Sequence, residues 1–312
     1  MKKVFVIVVS YNGMKWINES LTSIYESTVE VEVVVIDNNS KDETVTYIKN
    51  NFPQVVLFEQ KENLGFGKAN NIGLTYALNQ NADFVFLLNQ DAFVNNDSLE
   101  NLITAANRNP DYGILSPIQL NYSGKLLEKY FYKFMVEDVT RSFYSDFILS
   151  NPIKEIYDIK FVQAAAWFMP RETLMKIGGF DPVFFHYGED DNYCHRVLFH
   201  KLKIGIVSNS FIRHDSNENS PFPEMKFSEK YFKNYILLIL VKYCNINIKF
   251  NKTQITKERK KIHKIFFISL TKLNFSGCFG AVKQLKLFNS TINKIKLSRK
   301  TNEQVHHNYL ND

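Results

Sequence analysis

The sequence predicts an α/β protein, a doubly wound layer on a mainly parallel sheet, followed by a basic and mostly helical C-terminal region. Three observations predict it. Apolar strand-like runs alternate four times with helical periodicities in the first third of the chain. The connections between them are short. Each apolar run ends in a polar loop rich in Asn, Asp and Gly, where an open α/β sheet places its ligands.

Residues 3–9 are almost wholly apolar, as in a strand buried on both faces. The run stops at Ser10-Tyr11-Asn12-Gly13 with no small-residue cleavage site, so it reads as a first strand and not a leader. Trp16, Ile17, Leu21 and Ile24 recur at helical spacing. VEVVVI (31–36) is a second strand, and Ser40 with Glu43 forms a capping-box pattern opening a helix to about Asn50. QVVLF (54–58) is a third strand, followed by a helix from Gly67 to Asn79 and a fourth strand at 83–88. Asn96 or Asp97 caps a helix ending before Pro110. From 120 to 160 the pattern weakens, with a turn signal at Asn121–Gly124. A strand over 161–168, a turn at GGFDP (178–182), a helix from Asp190 to Lys201 and short strands at 204–207 and 211–214 complete the body. DSNENSPFPEM (215–225) reads as a loop or junction, dividing the chain into 1–225 and 226–312.

Composition excludes several classes. With 45% hydrophobic and 22% charged residues, the 312-residue chain is neither disordered nor fibrous. Cys194, Cys244 and Cys278 are too widely spaced for a disulfide framework or a CxxC zinc site, and read as buried thiols in a reducing compartment. The apolar run near Tyr235–Val241 falls far short of the ~20 residues of a membrane span. A cytoplasmic protein is expected. Charge is unevenly placed: residues 242–312 carry 15 Lys and Arg against 3 Asp and Glu, a net +12, while 1–241 carries −6. Aromatic and aliphatic residues separate the lysines of KERKKIHKIFFISLTKL (257–273), which suits an interfacial helix. The anionic partner expected for this tail is a membrane surface, on the inner face of the cell membrane, and not nucleic acid.

Four motifs carry chemistry. In VIDNNSKDET (35–44), Asp37 ends an apolar strand, where it can accept hydrogen bonds from a ring N–H or sugar hydroxyls; the same residue types also form turns that bond their own backbone. ENLGFGKANNIGL (62–74) has Gly65-x-Gly67 between strand and helix, but Asn70 fills the third glycine position of a dinucleotide fingerprint and the unit is the third βα turn, not the first. FLLNQDAFV (86–94) ends a strand in Asn89-Gln90-Asp91, where a carboxylate can hold Mg2+ or Mn2+ against a diphosphate. GGFDPVFFHYGEDDNYCHR (178–196) opens a helix with Glu189, Asp190 and Asp191, which serve as acidic caps or as a general base. His214 ends the last strand as a metal ligand or an ordinary satisfied histidine.

In their order, IVVSYNG, VIDNNSKDET, NLGFGKANN, NQD, GGFD and GED followed by Arg196 resemble the family 2 glycosyltransferases of GT-A fold, most closely the bacterial subset that includes rhamnosyltransferases. The resemblance spans about residues 3–214. It implies that Ser10, Tyr11 and Asn12 line the nucleotide site, that Asp37 reads a pyrimidine base with Asn39 beside it, and that Gly65, Lys68 and Asn70 lie in the loop over nucleotide and sugar. Asn89 and Gln90 then face the nucleotide-sugar, Asp91 and His214 hold a divalent ion, and Asp190 is the catalytic base. The implied activity is inverting transfer from a nucleoside-diphosphate sugar, dTDP-rhamnose or a UDP-sugar, to a glycan or lipid-linked acceptor. Departures are NQD in place of DxD, Asn192 at a usually acidic position, and the lack of a QxxRW motif, which favours single addition. Two other readings stand beside it: a nucleotidyltransferase, and a non-catalytic nucleotide-sugar binding component.

Overall fold

The computed structural model describes residues 2–135, 141–216, 225–306 and 308–310. The first half runs β1 (Val4–Ser10), α1 (Ile17–Tyr25), β2 (Glu32–Asp37), α2 (Thr44–Asn51), β3 (Val56–Glu59), α3 (Phe66–Asn79), β4 (Phe84–Asn89), β5 (Ala92–Val94) and α4 (Ser98–Arg108). Then come β6 (Tyr112–Asn121), α5 (Lys129–Phe134), α6 (Arg141–Ile148), β7 (Ile156–Ile159), β8 (Ala166–Pro170), α7 (Arg171–Ile177), α8 (Glu189–Phe199) and β9 (Lys203–His214). Three helices close the chain: α9 (Glu229–Cys244), α10 (Lys252–Thr271) and α11 (Phe275–Asn302).

One sheet runs β3-β2-β1-β4-β8-β6-β9-β5, with β7 on the edge of β9 that β5 also uses. Pairing is parallel from β3 through β4 and between β6 and β9; β8 runs antiparallel between β4 and β6. β1 is apolar at almost every position because both of its faces are covered. Phe5 and Ile7 meet α3 through Leu74 and Ala77, and Val4, Val6 and Val8 meet α1 and α4 through Leu21 and Leu102. Gly73 lets α3 lie close on the sheet, since a Cβ there would stand 2.6 Å from Ile7 Cγ2.

The elements differ from expectation where a polar side chain or a distant partner decides. No Ser40–Glu43 capping box forms. α2 starts later, behind Glu43, because Ser40 Oγ accepts the Asn12 N–H (2.8 Å) and Ser40 N–H donates to Asp37 (2.9 Å). The strand expected over 161–168 begins at Ala166, where pairing with β4 starts at Leu88. The two short strands near 204–207 and 211–214 are one strand, β9, with an irregularity between them. β5, β6 and β7 were not anticipated: β6 carries Gly113, Ser116 and Pro117 inside it, and the other two are three and four residues long. Cys194 and Cys244 are buried, Cys278 is half-buried, and all three are free thiols. Of the expected 215–225 junction, residues 217–224 lie outside the described residues.

The C-terminal region is helical, as expected, and no helix among the described residues is long and apolar enough to cross a membrane. Tyr243, Ile262, Phe288 and Ile295 form its core, which takes in Phe184 from the body. The buried Asp181, within GGFDP, accepts hydrogen bonds from Ser298 Oγ (2.6 Å) and Asn302 Nδ2 (2.8 Å) of α11. His200 Nε2 donates to Asn302 O (2.9 Å), and Gly179 N–H donates to Asn308 O (2.8 Å). The parts predicted to meet at 225/226 are thus joined by buried polar bonds around one carboxylate.

Truncating a partner of a buried charge costs about 1–3 kcal/mol. Asn302→Leu should therefore lower the unfolding free energy by that order, read as a lower urea midpoint at an unchanged slope. A midpoint equal to the parent's would show that the Asp181 junction carries no stability.

Candidate active site

The site begins with register. β1 pairs with β2 so that Ser10 stands opposite Asp37, and with β4 so that Val9 stands opposite Asn89. Three strands therefore end at one level, and their loops meet.

Those loops are tied together. Gln90 Oε1 accepts from Ser10 Oγ (3.1 Å) and Tyr11 N–H (2.9 Å), while its Nε2 donates to Tyr11 O (3.2 Å). Asn12, at φ 50°, accepts the Lys41 N–H on its side chain (2.8 Å), and Gly13 N–H donates to Thr44 Oγ1 (2.9 Å). Asn39, at φ 69°, accepts from Lys41 Nζ (2.6 Å). Asp37 is almost wholly buried. Its Oδ2 accepts the Ser40 N–H, and its Oδ1 has no partner. An unpaired buried acceptor is costly and points to an absent donor.

Asn38 carries the chain of contacts onward. Its Oδ1 accepts Leu64 N–H (2.7 Å) and its Nδ2 donates to Asn63 Oδ1 (3.0 Å) and Gly65 O (3.4 Å). Gly65, at φ 79°, lies hard against the next segment: a Cβ there would sit 2.0 Å from Phe185 O. Only glycine satisfies both the dihedral and the contact. Asn70 is buried but spends its Nδ2 on Phe66 O (3.0 Å) of its own helix. Lys68 is exposed and borders a groove of about 620 Å³ shared with Tyr76 and Tyr309.

Asp91 Oδ1 lies 3.3 Å from His214 Nε2, an approach set by β5 pairing Ala92 with His214. His214 is buried and its Nδ1 has no partner. Close by is Glu128, fully buried, which accepts from Phe131 N–H (2.7 Å), Gln163 Nε2 (2.9 Å) and the Ser216 hydroxyl. Burial pushes its carboxyl up, but the bonds from the Ser216 hydroxyl and the Phe131 and Tyr130 N–H groups outweigh it and hold it below the usual range.

The first turn of α8 supplies three carboxylates. Glu189 is buried with one oxygen unpartnered; desolvation, then its neighbours Asp190 and Asp191, push it up to about 7. Asp191 rises to about 6, through desolvation and then the Asp190 charge. Asp190 is raised by desolvation, partly offset by backbone N–H groups of Asp191 (2.9 Å), Asp190 itself and Ala164. A carboxylate with a raised proton affinity, still held by donors, suits general-base work.

These contacts close a ring. From Asp37 one path runs through Ser10, Gln90 and Asn89, whose N–H donates to Ala165 O (2.9 Å), to Ala164 and Asp190. The other runs through Asn38 and Gly65 to Phe185, and on to the start of α8 at Glu189. Asp37 and Asp190 are thus linked by two chains of contacts, and Asp91 follows Gln90 on the first of them. Of the expected residues, Ser10, Tyr11, Asn12, Asp37, Asn39, Gly65, Asn89, Gln90, Asp91, Asp190 and His214 belong to this ring or directly support it. Asn70 and Lys68 are turned to other uses, one bonded within its helix and one on the outer groove. Asn38 and Glu128 are additions. Asn38 is indistinguishable in sequence from a turn asparagine, and Glu128 lies in the weakly patterned stretch.

Asp91 and His214 pass a simple test for a divalent cation. Adjacent ligands of a six-coordinate Mg2+ stand about 3 Å apart, which their facing atoms match. Among the described residues no third acidic, cysteine or histidine side chain joins them. The remaining positions would fall to diphosphate oxygens and water.

The comparisons with known proteins agree with this architecture. The glycosyl transferase family 2 model matches residues 5–178, and the chain belongs to that family. The N-acetylglucosaminyl-diphospho-decaprenol L-rhamnosyltransferase of Mycobacterium tuberculosis is 23% identical over 255 residues, 75% of this chain and 83% of its own. An uncharacterized glycosyltransferase of Haemophilus influenzae is 32% identical, over 32% of this chain and 40% of its own length. The Staphylococcus aureus poly(ribitol-phosphate) β-N-acetylglucosaminyltransferase TarS is 32% identical over 32% of this chain, which spans 18% of TarS. Among solved structures, S. aureus TarS with UDP-GlcNAc superposes at a TM-score of 0.54 and 15% identity, covering 94% of this chain and 92% of that one. A Pyrobaculum calidifontis mannosyltransferase with GDP-Man and Mn2+ superposes at 0.53 and 17%, covering 95% and 75%. The fold is GT-A.

Because Glu189 binds its proton more tightly in the folded chain, the stability this contributes is present below about pH 4.5 and lost as pH rises through about 7. Glu189→Gln should therefore gain on the parent in urea denaturation between about pH 5 and pH 8. A difference that stays constant with pH would contradict the assignment.

Proposed function

We propose that this protein is an inverting glycosyltransferase that moves a sugar from a UDP- or dTDP-sugar to a hydroxyl of a growing, lipid-linked glycan. One observation supports the reading most: the contacts that tie the loop of the unpaired Asp37 oxygen, through Gln90, to the Asp91–His214 pair on one side and to Ala164 and the half-buried Asp190 on the other.

The roles follow from position. Asp37 Oδ1 accepts the ring N–H of a uracil or thymine base, while the Gln90-held Ser10–Asn12 loop flanks the ribose. Asp91 and His214 would hold Mg2+ or Mn2+, which when bound supplies positive charge against the departing diphosphate. Asp190 takes the proton from the acceptor hydroxyl. The acceptor oxygen forms its bond to the anomeric carbon as the bond to the diphosphate oxygen breaks on the opposite face, so the configuration inverts. Binding donor and acceptor side by side at these loops would contribute through positioning as well as through the base. The UDP-GlcNAc bound to S. aureus TarS supports a pyrimidine nucleotide donor, and the similarity to a decaprenol-linked rhamnosyltransferase supports a lipid-linked acceptor.

The test is a panel of UDP- and dTDP-sugars, assayed for binding and slow hydrolysis with and without Mn2+. Asp190→Asn should cut turnover by about 10²–10⁴-fold with donor affinity retained, the usual range for a general base. Asp37→Ala should lose donor affinity. Unchanged turnover in Asp190→Asn would remove Asp190 as the base, and donor binding with no turnover in the parent would leave a nucleotide-sugar binding component in place of a transferase.

A further inference from the structure

The sequence marks residues 257–273 as a helix suited to an interface, but the structure does not leave that helix free to lie flat. Glu258, Ile262 and Ser269 are buried against neighbouring helices, and Glu258 is consumed by Lys242 (2.8 Å), Lys261 (3.0 Å) and the Tyr243 hydroxyl. What remains exposed is the end of the α10–α11 hairpin. There Leu273 and Phe279 are each 76% exposed, Phe275 64% and Phe267 61%, with Leu270 between them. These residues come from the last turn or so of α10, the connection, and the first turns of α11, so they form one apolar tip. Their exposure is not a by-product of a loose hairpin: Gly277 and Gly280, on the opposite side, pack against Ser269 and Phe227.

Lysines surround that tip. Lys260 and Lys264 lie on α10, one to two turns back from Phe267 and Ile268, and Lys283 and Lys286 continue α11 past Phe279. Lys272 is in the connection itself. Among the described residues none of these five has a carboxylate within ion-pair distance. At 1.5 Å per residue Lys264 and Lys283 stand roughly 5–6 Å along their helices from Phe267 and Phe279, and Lys260 and Lys286 roughly 10 Å, the depth over which an interfacial helix spans acyl chains to headgroups, while Lys272 adjoins Leu273 with a stem long enough to reach back to them.

We propose that the α10–α11 tip is a wedge that inserts into an anionic lipid bilayer, with the five lysines paired to headgroup phosphates. Charge decides between this occupant and a second copy of the chain. Lys283 also lies over the Phe232 ring, 4.6 Å from its centroid, and keeps its charge there. A tip-to-tip dimer would bring together two lysine collars that no carboxylate neutralises, whereas an anionic bilayer neutralises one and buries the apolar end.

The full chain is floated with vesicles of phosphatidylcholine alone and of phosphatidylcholine with phosphatidylglycerol. Binding to the anionic vesicles only is expected. Leu273→Glu with Phe279→Glu should lower the bound fraction at least about tenfold, since each charge replaces an inserted apolar group. The melting temperature should not change, because both side chains are exposed. Lys264→Glu with Lys272→Glu should lower binding similarly and make what remains less sensitive to salt, because fewer lysine–phosphate contacts are left to screen. The proposal is overturned if the parent ignores anionic vesicles, binds neutral ones equally, or keeps its binding in the tip variant. It is also overturned if light scattering shows a dimer that the tip variant converts to monomer. Donor turnover is not the readout, so failure here leaves the glycosyltransferase reading standing.

Discussion

Parallel pairing of β1 with both β2 and β4, in a register that ends all three strands together, is the constraint on which the rest depends. Ser10 opposite Asp37 and Val9 opposite Asn89 bring the loops that follow within reach of one another. A slip of one residue would turn Asp37 to the other face of the sheet and break the apolar match on both sides of β1. The register is held by that match, with Phe5 and Ile7 under α3 and Val4, Val6 and Val8 under α1 and α4. The hydrophobic core thus sets the position of each polar group at the strand ends.

The polar groups in turn give up stability. Asp37 keeps an oxygen without a donor, His214 a nitrogen, and the first turn of α8 crowds three carboxylates whose proton affinities rise. Burying groups in this way is unfavourable unless a ligand completes them. Neighbouring structure compensates: Gln90 fixes one loop, Asn38 another, and α11 secures the Asp181 turn that leads into α8. The C-terminal helices are therefore bonded, through Asp181, to the turn that precedes α8.

Much of this was legible in the sequence because local pattern and tertiary role agree. β1, β2 and β4 are apolar runs ending in polar residues, and their parallel order follows from strand–helix alternation. Asp37 and Asp91 are each the carboxylate nearest a strand end, and Asp190 lies in the first turn of α8, one residue behind Glu189. The pattern was silent where contacts are long-range. β6 tolerates Pro117 and Gly113 because its neighbours β8 and β9 hold it, and β5 is three residues that pair only because β9 returns beside them. Ser40 misled because its hydroxyl serves the loop after β1 and not its own helix. Lys68 and Asn70 misled because a helix has several faces and spacing alone does not say which one meets the cleft. The charge of the tail was plain, but which part of it stays exposed depended on how α10 and α11 pack.

The most direct measurement is a structure of the protein soaked with UDP or dTDP and Mn2+. The account predicts a base N–H on Asp37 Oδ1, the diphosphate beside Asp91 and His214, and open space reaching Asp190. A nucleotide seated instead in the groove of Lys68 and Tyr309, with the Asp37 oxygen still unpartnered, would contradict it.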